Sequence, residues 1–90
     1  MEFRREKNRV YAEDKNGVTV AEVCFPDCGG NTVKIESTFV SPELRGNNVA
    51  SDLMLTAYEE IKAQGKKAEL KCKYAVKWFE KHPDKRDILI

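Results

Sequence analysis

Histidine and tryptophan occur once each in this 90-residue chain, and cysteine only three times. That scarcity excludes a closed tetrahedral metal site. Cys24 and Cys28 form an isolated C-x3-C pair, and the single His82 lies too far along the chain to complete four ligands. No metal is expected. An odd number of cysteines makes no tidy disulfide framework. Charge of one sign is missing too: 16 Lys plus Arg face 15 Asp plus Glu, a net +1. That balance argues against a general nucleic-acid binder. No apolar run approaches membrane-spanning length, and "MEFRREKNRV" lacks the apolar core of a signal peptide. A soluble, cytoplasmic protein with no membrane partner is expected, with no repeat, linker or low-complexity segment.

What is present is enough for one core and no more, so residues 1–90 read as a single domain. At this size folding hides only about 60% of the chain's surface, and a bound ligand would add to its stability. The mild basic surplus lies in the second half, around Lys62, Lys66, Lys67, Lys71, Lys73 and Lys77. It reads first as a solvated face and second as a phosphate-binding patch.

The first forty residues read as a three-strand antiparallel meander. "NRVYAED" alternates weakly, Lys15-Asn16-Gly17 supplies a hairpin turn, and Val18–Phe25 is β-prone. "PDCGGN" breaks the run, and Thr32–Val40 alternates through Val33, Ile35, Ser37 and Phe39. The period then changes. Val49, Ala50, Leu53, Met54, Ala57, Tyr58 and Ile61 form one stripe on a helix of about four turns, ending at Gln64-Gly65. Lys67–Cys72 alternates as a strand, and Tyr74–Lys81 reads as a short helix that "HP" stops. A final "DILI" adds an edge strand. The expected order is β-β-β-α-β-α-β, an α+β domain with a mostly antiparallel sheet and two helices.

"SPELRGNNVASDLM", residues 41–54, joins the meander to the long helix. The first N–H groups of that helix have no internal partner and carry the positive end of its dipole. On spacing alone Asn48 reads first as an N-cap. The same turn also has the make-up of an anion seat, because Gly46 lets the backbone approach a phosphate.

Two stretches carry a resemblance. "VSPELRGNNVASDLM" is similar to the acetyl-CoA signature of the GNAT superfamily of N-acetyltransferases, Arg/Gln-x-x-Gly-x-Gly/Ala, with Arg45, Asn48 and Ala50 at its first, fourth and sixth positions. "ELKCKYAVKWFEKHP" resembles the second half of the compact YjdJ-type branch, with its Cys-x-(Tyr/Phe) step between strand and last helix. Together the matches span Thr38 to Pro83. The resemblance implies an N-acetyltransferase that uses acetyl-CoA and an unidentified amine acceptor, as a monomer or weak dimer. It implies that the coenzyme A pyrophosphate sits on the loop Arg45, Gly46, Asn47, Asn48, Val49 and Ala50, continuing to Ser51. It implies that the pantetheine arm lies along Thr38, Phe39 and Val40, and that the acetyl group ends near Cys72. Asn48 departs from the usual Gly, and Ser37 stands where relatives commonly have His before the Thr. Both departures leave open a coenzyme A-binding or protein-interaction module with impaired catalysis.

Cys72 ends a strand just before a helix, where the dipole lowers a thiol pKa. Three readings follow: a nucleophile that carries the acetyl group, an acid to the leaving thiolate beside Tyr74, or a small buried side chain. Trp78 reads as core and His82 as a cap or surface residue. Cys24 and Cys28 look incidental.

Overall fold

In the computed structural model, which describes residues 2–90, the first forty residues form five strands, not three. They are β1 (Arg4–Glu6), β2 (Arg9–Glu13), β3 (Thr19–Cys24), β4 (Thr32–Ile35) and β5 (Ser37–Val40). β1 consists of Arg4, Arg5 and Glu6, all exposed, so it has no apolar alternation to betray it. A short charged edge of this kind discourages pairing with other chains. Strands β1, β2, β3 and β5 lie in that order, all antiparallel. The β2–β3 turn is organised by Asp14, whose Oδ1 accepts the N–H groups of Asn16 and Val18 at 2.8 and 3.0 Å. Gly17 takes positive φ there and Asn16 does not. The expected two-residue Asn-Gly turn therefore gives way to a longer, aspartate-bound loop.

The expected single strand Thr32–Val40 is broken at Glu36. Ser37 lies opposite Cys24 in the β3–β5 register, yet Glu36 also donates its N–H to the Cys24 carbonyl at 3.0 Å. Two residues thus face one, which bends the strand. The side-chain alternation changes phase at this bulge: Val33 and Ile35 are buried, Ser37 and Phe39 are exposed, and Val40 is buried again. Before the bend, β4 pairs in parallel with β6 (Lys67–Leu70) in a second, two-stranded sheet. After it, β5 pairs only with β3.

Helix α1 (Val49–Ala63) packs on β2, β3 and β5. It buries Val49, Leu53, Met54, Ala57, Tyr58 and Ile61, the expected stripe apart from half-buried Ala50. Burial of Leu53, Met54 and Ile61 contributes about 1.5–3 kcal/mol each, whereas a side-chain N-cap contributes about 1 kcal/mol. Packing therefore holds this helix without needing a cap. Helix α2 (Lys73–Glu80) buries Ala75, Trp78 and Phe79 and leaves Tyr74 more than a third exposed.

The C-terminal edge strand expected over "DILI" is a 3-10 helix, Pro83–Ile88, with one parallel bridge from Leu89 to Ala68. A clamp overrides the apolar run. The Tyr58 hydroxyl donates to Asp87 Oδ1 at 2.9 Å, Lys62 Nζ lies 2.8 Å from Asp87 Oδ2, and Lys67 Nζ donates to the Asp87 carbonyl at 2.6 Å. A second 3-10 turn, Pro42–Leu44, leads from β5 towards α1. The fold is α+β with a mostly antiparallel sheet.

Candidate functional site

The bulge at Glu36 opens a fork between β5 and β6. The Ile35 carbonyl accepts the N–H groups of both Lys71 and Cys72, at 3.0 and 3.1 Å, and beyond that point the chain leaves the sheet to begin α2. Ser41 N–H donates to the Val20 carbonyl at 2.8 Å, in step with the β3–β5 register. Bonded pairs alternate along an antiparallel ladder, so Ser37 and Phe39 turn their main-chain groups to β3. Those of Thr38 and Val40 face the fork. Val40 spends its carbonyl on Arg45 Nε at 3.2 Å, which folds the loop back on the strand.

Cys72 sits at the N-cap of α2 with extended backbone, φ −77° and ψ 128°. Its Sγ lies 3.4 Å from Thr38 Oγ1. Burial pushes the thiol pKa up. Hydrogen bonds from the Thr38 hydroxyl and from the main-chain N–H groups of Ala75, Tyr74 and Thr38 oppose this and bring it below its ordinary value. Tyr74, in the first turn of α2, moves the other way: burial and then the nearby charges of Asp52 and Cys72 raise its phenol. Cys24 is unlike Cys72, because burial and the Glu22 carboxylate hold its thiol up.

The loop between β5 and α1 turns on two left-handed residues, Gly46 at φ 87° and Asn48 at φ 59°. A Cβ at Gly46 would meet nothing within 4 Å, so the backbone angle, and not crowding, demands glycine. Asn48 is the N-cap residue of α1, but its side chain makes no cap hydrogen bond. The capping reading is corrected here: a capping Asn has extended backbone, whereas this one is left-handed. The first internal bond of α1 runs from Asp52 N–H to the Asn48 carbonyl at 3.0 Å. The N–H groups of Val49, Ala50 and Ser51 therefore have no acceptor within the helix. They border a cleft of about 270 Å³ lined by Val40, Leu44, Arg45, Gly46, Asn48, Val49, Ala50, Ser51 and Tyr74.

Asn47 lies outside that cleft and donates its side-chain amide to the Leu44 carbonyl at 3.4 Å. Phe39 is 46% exposed, on the sheet face away from Thr38 and Val40. A second recess, about 300 Å³, adjoins the first through Asn48, Ser51 and Tyr74 and adds Lys77, Trp78, Lys81 and His82. Trp78 is core, its indole N–H donating to Ser51 Oγ at 2.9 Å. His82 stacks on Trp78 with centroids 4.0 Å apart, and its Nδ1 lies 2.6 Å from the Trp78 carbonyl, closing the end of α2. Leu44 and Lys81 were not singled out as site residues from the sequence, and Lys77 was named only within the basic run. The i, i+3, i+7 spacing of Tyr74, Lys77 and Lys81 was the further signal. Among the described residues, no helix is long and apolar enough to cross a membrane.

The geometry fits what comparison with known proteins shows. A GCN5-like candidate N-acetyltransferase from Staphylococcus aureus, solved by NMR, superposes with a TM-score of 0.77 at 27% identity, covering 99% of this chain and 87% of that one. A candidate phosphinothricin N-acetyltransferase gives 0.63 at 27% identity, covering 88% of this chain and 54% of that one. A nourseothricin acetyltransferase gives 0.55 at 28% identity, covering 69% and 38%. This chain thus spans about half or less of those two longer relatives. No curated protein matches it. The family model of the GCN5-related N-acetyltransferases matches residues 9–88, and the chain belongs to that family.

Proposed function

We propose that this chain is an acetyl-CoA-dependent N-acetyltransferase of the compact YjdJ-type branch, acting on an amine acceptor. One observation carries the reading. The first turn of α1 is uncapped, and its free N–H donors open onto a cleft adjoining the fork that holds Cys72. The 87% coverage of the similarly short Staphylococcus aureus protein supports the compact branch.

The residues present fit coenzyme A. The N–H groups of Val49, Ala50 and Ser51, with the open backbone at Gly46, would hold the diphosphate. The Thr38 carbonyl and the Val40 N–H would hold the pantetheine arm as an added strand would. Phe39 contributes no main-chain group on that side. Bound acetyl-CoA supplies an activated acetyl thioester.

Cys72 forms a new sulfur–carbon bond to the acetyl group as the old one breaks. Tyr74 gives its phenolic proton to the departing thiolate and recovers one from solvent. The acceptor amine then takes the acetyl group from Cys72, whose sulfur returns as thiolate while the amine's proton leaves to solvent. Mass spectrometry after incubation with acetyl-CoA tests this. One added acetyl group on Cys72, absent in Cys72→Ala, is expected. Binding without acetylation or turnover would mark a coenzyme A-binding module instead.

A further inference from the structure

Ser37 is exposed and lies opposite Cys24, so it offers the fork no base, and a hydroxyl cannot take a thiol proton near neutral pH in any case. Something else must make the Cys72 sulfur reactive. One side chain reaches it: Thr38 Oγ1 lies 3.4 Å from Sγ, while Cys72, at the N-cap of α2, makes no side-chain cap hydrogen bond there. Thr38 is brought there by the bulge at Glu36, which shifts the strand phase so that Thr38 turns both its side chain and its main-chain N–H into the fork. Without that shift Ser37 would occupy this side.

We propose that Thr38 is a positioning residue of the acyl transfer, holding the Cys72 sulfur at the fork with its hydroxyl in place of a general base. Its role reaches beyond the pantetheine contact that the family resemblance implies. The kinetic part of this inference rests on the transferase reading; the chemical part does not, because it concerns the free thiol. The hydroxyl accepts from the S–H and, once the proton has gone to solvent, rotates to donate to the sulfur. The titratable neighbours are Tyr74 on α2 and, beyond it, Asp52 on α1. Both are acidic groups whose ionised forms oppose a thiolate. Hydrogen bonds, and not a cationic partner, therefore carry the stabilisation.

The test uses the full chain with Cys24→Ser and Cys28→Ser, so that Cys72 is the only thiol. The rate of alkylation by iodoacetamide is followed against pH for this parent and for Thr38→Ser and Thr38→Val. Loss of one charge-assisted hydrogen bond is expected to move the ionisation midpoint up by about one pH unit in Thr38→Val. Thr38→Ser is expected to restore the parent midpoint. With acetyl-CoA and an amine acceptor, Thr38→Val should lower kcat about tenfold at neutral pH and recover as pH rises. If Thr38→Val does not fold, Thr38→Ala replaces it and is expected to give the same midpoint shift. An unchanged midpoint in the variant lacking the hydroxyl, or no recovery in Thr38→Ser, overturns the proposal. A shifted midpoint in a protein that neither binds nor turns over acetyl-CoA would leave Thr38's role standing and remove the transferase reading.

Discussion

Trp78 donates its indole N–H to Ser51 Oγ at 2.9 Å, and this bond ties the helix that begins at Cys72 to the first turn of the helix that would face the phosphates. The bond is half-hidden and sits between two recesses, so its loss should be felt in stability. Trp78→Phe is expected to cost about 1–3 kcal/mol through the lost bond and lost volume. Each kcal/mol lowers Tm by roughly 4–8 °C in a domain of this size. Ser51→Ala leaves the buried indole N–H without a partner and is expected to cost about 1–3 kcal/mol. Thermal melts of both single variants and the double variant check the coupling, which should make the double less costly than the sum.

Asn48 and Gly46 respond to substitution through backbone angle alone. Asn48→Gly keeps the left-handed angle accessible and should change stability by under about 1 kcal/mol. Gly46→Val and Asn48→Val each force a branched residue into that region and should cost about 1–2 kcal/mol. Denaturant titration distinguishes these outcomes. The acetyl-CoA affinity of Asn48→Gly should equal or exceed that of the parent, since the exposed Asn48 side chain borders the cleft.

Acid should loosen the C-terminal clamp first. Hydrogen bonds from Lys62 and Tyr58 hold the Asp87 carboxyl below its ordinary value of 3.8. A depressed carboxylate contributes stability that is complete above its unfolded pKa and is lost as pH falls through its folded one. Chemical denaturation at a series of pH values below about 5 should therefore show a shallower loss in Asp87→Asn than in the parent. Above that range the variant should be the less stable of the two.

The thiols should separate in reactivity. In a Cys28→Ser background at pH 7, iodoacetamide should label Cys72 before Cys24, because hydrogen bonds favour one thiolate while burial and Glu22 disfavour the other. Peptide mapping over time reads the order. Equal rates would contradict the electrostatic picture of the fork.

The α1 stripe was legible because helical periodicity is a local property: Val49, Leu53, Met54, Ala57, Tyr58 and Ile61 repeat within one segment. The loop Arg45–Ala50 was legible for the same reason, as spacing within six residues. The break of Thr32–Val40 was not, because the bulge arises from pairing Glu36 and Ser37 with the one residue Cys24, a tertiary register. β1 escaped notice because its residues are all charged. The C-terminal segment looked like a strand until Asp87 met Tyr58, 29 residues away. The meeting of Cys72 with Thr38 spans 34 residues, beyond what any local pattern encodes.

Titration of the isotope-labelled protein with acetyl-CoA, followed by amide NMR, tests the central claim most directly. The account predicts that the amides of Val49, Ala50 and Ser51 shift most and saturably, with those of Gly46 and Val40 moving alongside. Unmoved amides in the first turn of α1 at saturating acetyl-CoA would contradict it, whatever else in the chain responds.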